Sequence, residues 1–463
     1  MVDLTNLSIA EAAPMLRARK LSPIELTRAY LERITRLNSK LNCYITVMSE
    51  SALADAHRAE EEITAGKYRG PLHGIPIGLK DLIETAGVLT TAASGVLKNN
   101  VPKHDAAVVE RLRNAGAVIL GKLNLHEFAY GGSGVISYYG AVKNPWNTGH
   151  ITGGSSSGSA AAVAAGLCCA AIGTDTAGSI RLPASCCGIV GHKPSYGLVS
   201  SWGVIPLSWS YDHVGPMTRT VTDAALMLDV LAGPDVRDFT SREYPKRQYA
   251  AALDDTSLAK VRVGMPRQPL YQDLDPEVSA AVEQALKVLA SAGAELHDFE
   301  IPENPDRTAS TTESYAYHTA YLPAHADEYQ PATLQRIKTG EKYSATDYIL
   351  KKRELEITRR MFASVFESVD LIVSPTVPSL PPSFDELEKD PSKLRPAELL
   401  MLRNTRPFNV LGWPTTSVPC GFSKSGLPIG LQIAAASGRD DMALRAAHAY
   451  EQHTDWHTRR PTL

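Results

Sequence analysis

Near the start of the chain, apolar residues recur at helical spacing. Ser8 and Glu11 stand three apart, as in a reciprocal N-terminal cap, and so do Ser22 and Glu25, with Pro23 at the favoured first helical position. Leu26, Tyr30, Arg33 and Leu37 continue one face through the second helix, and an Ala- and Glu-rich stretch, about 50–64, predicts a third. From Gly70 the pattern changes. "PLHGIPIGLKDLI" is a short apolar run broken by Gly and Pro, which predicts a strand entering a turn. "VVERLRNAGAVILGKLN" reads as helix, glycine stop and buried strand. "SGSAAAVAAGL" predicts a small-residue helix, and "CCAAIGTDTAGS" a buried strand running into a glycine loop. Further on, "PEVSAAVEQALKVLASAG" is amphipathic and further helices are expected across 315–366. "VDLIVSPTVPSLPPSF" predicts a strand ending in a proline-rich loop. "SVPCGFSKSGLPIGLQIAA" predicts two strands joined at Ser425-Gly426, followed by a last helix over about 442–453. Helices alternating with short, continuously apolar strands imply an α/β fold whose strands are buried on both faces.

Composition narrows the function classes. A chain of 463 residues with 44% apolar and 21% charged residues can bury a large core. The net charge of −3, without a long Lys/Arg run, predicts no nucleic-acid partner and no attraction to acidic lipid. No window approaches a membrane span, and the first twenty residues lack the apolar core of a signal peptide, so a cytoplasmic location is expected. The six cysteines, Cys43, Cys168, Cys169, Cys186, Cys187 and Cys420, form no C-x-x-C pair and no Cys/His cluster at zinc spacing. They read as small buried residues, and neither a metal nor a cofactor is expected.

The stretch "ITGGSSSGSA", 151–160, concentrates the candidate chemistry. A flexible linker is disfavoured because the loop runs straight into a good helix. A phosphate loop would need a lysine after its glycines, and none follows. Gly154 to Gly158 fits G-x-S-x-G with Ser156 central, but the preceding "KNPWNTGHIT" is turn chemistry where a nucleophile elbow needs a strand.

Three segments taken together, "GIPIGLKD" with Lys80, "GGSSSGSAAA" with Ser155 and "GTDTAGSIRLPA" with Ser179, resemble the amidase signature family. The resemblance extends through "VKNPW", "GIVGHKPSYGLVS", "DHVGPMTRTVTDAALML" and "RPFNVLGWPTTSVPCGFSKSGLPIGLQI", and is loose in the middle third. It implies one domain over 1–463: a mixed central β-sheet sandwiched between helices, with an N-terminal helical arm (1–65), a catalytic core (66–235), a mostly helical substrate-side insertion (236–400) and a C-terminal return to the core sheet (401–463).

The resemblance assigns Ser179 as nucleophile, Ser155 as a bridging serine after a cis peptide bond, and Lys80 as base. A serine hydroxyl needs an adjacent base, and a lysine can serve only when neutral. Burial lowers a lysine pKa, and Lys80 follows an apolar run, whereas Asp81 would raise it if it faced the ammonium. The loop Thr176, Ala177, Gly178, Ser179 offers successive backbone amides for an oxyanion, although the family usually carries Gly at the position of Ala177. Asp175 and Arg181 are expected to fix the loop as a polar pair. Tyr130, Gly131, Gly132, Ser133 and Trp209 are implied as substrate walls, with the loops after Ser374 and near Asn404.

The aromatic residues Tyr130, Tyr138, Tyr139, Trp202 and Trp209 near these motifs point to aryl or hydrophobic amides, with carbamates (urethanes) and esters in reach. The expected partner is a small-molecule amide or carbamate alone, bound by a monomer or homodimer. An alternative within the same chemistry is the glutamine-hydrolysing A subunit of a glutamyl-tRNA amidotransferase. Its motif has an acid shortly before P-x-N-x-x-G, where this chain has Arg403 and Arg406. A catalytically inactive binding module is disfavoured because all three catalytic matches are intact.

Overall fold

The computed structural model describes residues 3–301 and 306–463. It is built on one mixed sheet of 11 strands. In chain order these are β1 (Tyr44–Val47), β2 (Pro76–Lys80), β3 (Val118–Leu123), β4 (Ala170–Asp175), β5 (Val190–Lys193), β6 (His213–Thr218), β7 (Arg262–Pro266), β8 (Glu295–Glu300), β9 (Leu371–Pro375), β10 (Thr415–Phe422) and β11 (Pro428–Ala435). The spatial order is β1-β3-β2-β4-β6-β5-β10-β11-β9-β7-β8. Parallel pairing holds β2 between β3 and β4, and β7 between β8 and β9, while the centre is antiparallel.

The helices α1 (Ile9–Arg17), α2 (Pro23–Leu41), α3 (Ser49–Thr64), α4 (Ala107–Asn114), α5 (Ser157–Ala164), α6 (Arg181–Cys187) and α7 (Val221–Leu231) precede the later helical segment. Ser8 and Glu11 form the reciprocal cap expected of them. At α2 the cap is one-sided: Ser22 accepts from the Ile24 and Glu25 amides, and its hydroxyl donates to Glu60 at 2.5 Å, which ties α2 to α3. β2, β4 and β11 are buried throughout, as their mainly apolar sequences require.

Five strands carry no clear apolar signature. β6, "HVGPMT", contains a glycine and a proline, yet lies between β4 and β5. β8 is a polar edge strand, and β1, β5 and β7 are short. Of these, β7 and β8, together with β9, come from 236–400, so that segment contributes three sheet strands besides its helices. All six cysteines are free and buried. No helix of the described residues is long and apolar enough to cross a membrane.

Candidate active site

Two parallel strands and two loops build the site. Lys80 ends β2, and Thr174 lies near the end of its parallel neighbour β4. The Lys80 ammonium nitrogen is fully buried and donates to Ser155 Oγ at 2.7 Å and to Thr174 Oγ1 at 2.8 Å. Burial pulls the Lys80 pKa down to about 7, against the opposing pull of Asp175 and Asp212. Asp81 takes no part: its carboxylate accepts from Thr91 at 2.5 Å and lies 3.5 Å from Lys122. Successive side chains along an extended chain leave on opposite sides, so the neighbour of Lys80 faces away from it.

Ser155 follows a cis peptide bond from Gly154. Its loop is pinned on both sides. The Ser156 N–H donates to the Ser179 carbonyl at 3.2 Å, and the Ser155 carbonyl accepts from His126 N–H at 3.0 Å. Ser156 is fully buried, and its hydroxyl bridges the Thr174 backbone, donating to the carbonyl at 3.1 Å and accepting from the N–H at 3.3 Å. That removes the elbow reading, which needs an exposed hydroxyl after a strand. α5 then packs tightly on the core: a Cβ at Gly158 would collide with the Asn124 and Cys43 backbones.

After β4, residues 176–179 turn into α6. Gly178 has φ +140°, and a Cβ there would run into the Thr405 side chain, so the turn requires glycine. Ala177 is not among the positive-φ positions, so its methyl is accommodated. Thr405 donates to the Ala177 carbonyl at 2.6 Å, and Thr176 Oγ1 donates to Asp212 at 2.5 Å. Among the described residues the N–H groups of Ala177, Gly178 and Ser179 have no acceptor, which leaves a run of donors at the turn. The Asp212 carboxyl is itself pushed up to about 7 by burial, against hydrogen bonds from Thr176, Ser208 and Leu207.

Asp175 and Arg181 face each other at 3.0 Å, both fully buried. Burial opposes ionisation of Asp175, but Arg181, Lys193 and Asn409 together outweigh it and hold the carboxyl well below the ordinary range. Arg181 also donates to the Thr405 carbonyl at 2.9 Å, to Gln432 at 3.1 Å and to Asn409 at 2.6 Å.

Ser179 opens onto a cavity of about 550 Å³. Its hydroxyl makes no hydrogen bond among the described residues, and none joins it to Ser155 Oγ. Thr176, Ala177, Tyr130 and Gly131 share the lining; Gly132, Ser133 and Trp209 lie outside it. The Ser133 hydroxyl is committed to Glu398 at 2.7 Å, and the Trp209 indole reaches Tyr348 at 3.4 Å. Of the other aromatics expected near the site, Tyr138 is half exposed, and Trp202 stacks on His104. Sequence reasoning missed Tyr211, Tyr343, Arg307, Arg336, Arg395 and Arg406, all of which reach the cavity. It also missed Thr174 and Asp212. Thr174 lies five residues before Ser179 in "GTDTAGS", and the parallel pairing of β2 with β4 brings it to Lys80.

Among the described residues no group of His, Cys, Asp and Glu could hold a metal ion. The family model described as Amidase matches residues 25–444. The chain is 40% identical to the A subunit of glutamyl-tRNA(Gln) amidotransferase from Geobacter metallireducens, covering 99% of each chain. Among solved structures, it is similar to 6-aminohexanoate cyclic dimer hydrolase (TM-score 0.88, 32% identity, 100% and 99% of the two chains). It is also similar to the A subunit of glutamyl-tRNA(Gln) amidotransferase from Thermotoga maritima (TM-score 0.79, 33% identity, 98% and 96%). Full-length relatives that are subunits of an enzyme named for glutamyl-tRNA(Gln) overturn the expectation of a small-molecule partner alone, with no nucleic acid and a monomer or homodimer. A modest net charge fails to exclude such partners because one subunit of an assembly need not carry the nucleic-acid surface itself.

Proposed function

The chain belongs to the amidase family, and from that premise we propose that it hydrolyses an amide C–N bond through an acyl-enzyme on Ser179. The observation that supports this most directly is the fully buried Lys80 amine hydrogen-bonded to Ser155 beside the Ser179 loop, where burial lowers the lysine pKa to about 7. Neutral Lys80 accepts a proton through Ser155 as Ser179 Oγ attacks the carbonyl carbon. The oxyanion meets the backbone amides of Thr176, Ala177, Gly178 and Ser179. The proton then passes to the leaving nitrogen as the C–N bond breaks. Water uses the same relay to release the acid. Thr174 holds the lysine amine in place, and the Asp175–Arg181 pair holds the turn.

The relatives support glutamine as the amide. On this reading the chain is the ammonia-releasing A subunit of a larger amidotransferase assembly, and the ammonia is passed on towards glutamyl-tRNA(Gln). The cavity favours a second reading. Tyr130, Tyr211, Leu207 and Leu402 line it, and among the described residues no Asp or Glu does, so the ammonium of free glutamine has no carboxylate to meet. This reading takes an aryl or hydrophobic amide, with aryl carbamates in the same class.

The test is kcat/KM for glutamine, an anilide and an aryl carbamate, measured on the purified chain with and without co-purifying proteins. Faster glutamine hydrolysis supports the amidotransferase reading, and faster anilide cleavage supports the second. A serine-directed fluorophosphonate is expected to label Ser179, and Ser179→Ala to abolish both labelling and turnover. An adduct on Ser156 with activity retained in Ser179→Ala would overturn the assignment.

A further inference from the structure

Four arginines reach the cavity that contains Ser179, and they are not equivalent. Arg336 and Arg395 converge on the buried carboxylate of Glu398, at 2.8 and 3.1 Å. Arg307 and Arg406 have no such partner. Among the described residues the Arg307 guanidinium forms no ion pair and no hydrogen bond, and burial together with Arg395 lowers its pKa. Arg406 donates to the backbone carbonyl of Asp306, whose carboxylate is taken by Lys351 at 2.8 Å. Burial, then Arg307, pulls Arg406 down to about 10, against the opposing pull of Tyr211 and Asp306.

Two neighbouring guanidinium groups that repel each other in a partly desolvated wall are unfavourable unless an anion joins them. A guanidinium fork matches a carboxylate in bidentate geometry. The wall around them is apolar and aromatic, with Tyr130, Tyr211, Leu394 and Leu402.

We propose that Arg307 and Arg406 form a carboxylate-binding subsite, and that the amide cleaved at Ser179 carries a carboxylate at its non-reacting end across an apolar spacer. The proposal rests on the amide-hydrolysis reading. It gives the site a reason to discriminate between an anionic amide and its neutral isostere. Arg307 and Arg406 act here as specificity residues.

The probe pair is glutaryl-4-nitroanilide and its neutral isostere 5-methylhexanoyl-4-nitroanilide. The wild-type protein is expected to prefer the anionic compound in kcat/KM by about 10–100-fold, the range of a charge-assisted contact. Arg307→Met is expected to collapse that ratio, and Arg307→Lys to restore part of it. Arg406→Met should lower it independently. A purely structural role would reduce both substrates alike and leave the ratio unchanged, which overturns the subsite while hydrolysis stands.

Binding of glutaryl-4-nitroanilide to Ser179→Ala, measured by calorimetry, separates the two claims. If neither compound is hydrolysed but binding to Ser179→Ala is lost on adding Arg307→Met, the subsite stands and the hydrolysis reading falls. Binding that ignores Arg307 overturns the subsite.

Discussion

Replacing Lys80 with methionine is expected to abolish turnover and to change stability in a pH-dependent way that isolates the lysine. Lys80 is fully buried and its pKa lies near 7, against an ordinary value of 10.5. An unfolded chain therefore binds a proton at this residue between about pH 7 and about pH 10.4 that the native state does not hold. The unfolded state binds more protons in that window, so stability rises with pH across it. Put the other way, the native protein bears its full cost below pH 7 and sheds it as pH rises towards 10.4. At about 1.4 kcal/mol per pH unit, the cost is about 4 kcal/mol at pH 7.5 and about 1.5 kcal/mol at pH 9.5.

Lys80→Met removes that cost at both pH values. It also removes the hydrogen bonds to Ser155 and Thr174, a penalty that does not vary with pH. The absolute stability difference thus mixes two effects, but its change with pH does not. The variant's advantage should shrink by about 2.5 kcal/mol between pH 7.5 and 9.5. For 463 residues, an unfolding entropy of about 2.1 cal/mol/K per residue converts this to a Tm gap that narrows by about 2–3 °C. The assay is thermal unfolding of both proteins at the two pH values, beside the pH profile of wild-type kcat/KM. That profile should rise through about pH 7 and level off above it. A Tm gap that stays constant or widens with pH, or a flat rate profile, would refute a neutral buried lysine.

Ser155→Ala should lower kcat by about 10²–10⁴, and Lys80→Met/Ser155→Ala should be little worse than the worse single variant because the two act as one relay; multiplicative losses in kcat/KM would show that they act separately. Ser156→Ala strips the bridge to the Thr174 backbone, so it should cost about 1–3 kcal/mol of stability while reducing kcat far less than Ser155→Ala; unchanged unfolding would remove the bridging role. Asp212→Asn takes away a negative charge that raises the Lys80 pKa, so the acid limb of kcat/KM should move to lower pH, and a move to higher pH would refute that coupling.

Lys80, Ser155 and Ser179, the proposed relay, were legible through the resemblance to the amidase signature family, and local pattern placed each on its element. Lys80 closes an apolar run, Ser155 lies in a loop opening a small-residue helix, and Ser179 follows a buried strand. What stayed hidden depends on long-range packing. Pro216 would disqualify β6 as an interior strand by local rules, yet it pairs with Ile172 at the centre of the sheet. β8 alternates poorly because it is an edge with both faces partly wet. The cavity wall shows the same limit. Tyr138 and Trp202 lie close to the motifs in sequence but pack elsewhere, whereas Tyr343 and Arg307 come from a segment more than a hundred residues beyond Ser179. Proximity along the chain says little about which aromatic ring faces a pocket. The orientation of Asp81 was in principle legible, since strand alternation alone turns it from Lys80.

The Asp175–Arg181 pair links the relay to the end of the chain. A buried ion pair carries a heavy desolvation penalty, offset only when its remaining donors and acceptors are satisfied. Here the C-terminal return meets that condition. Asn409 donates to the Asp175 carbonyl at 2.9 Å and to its carboxylate at 2.8 Å, and accepts from Arg181 at 2.6 Å. Gln432, on β11, accepts from the same guanidinium and donates to the Asn404 carbonyl at 2.8 Å. Thr405 grips the Ala177 carbonyl and sits where a Cβ on Gly178 would otherwise go. The turn that presents Ser179 and its amides is therefore shaped from behind by residues more than two hundred positions away. Local sequence around Ser179 supplies the proposed nucleophile and donors, but their geometry depends on β10 closing against β5 and on β11 pairing with β10 behind them. The chain from 401 onward is in this sense a structural part of the site, although none of its residues needs to touch the transferred proton.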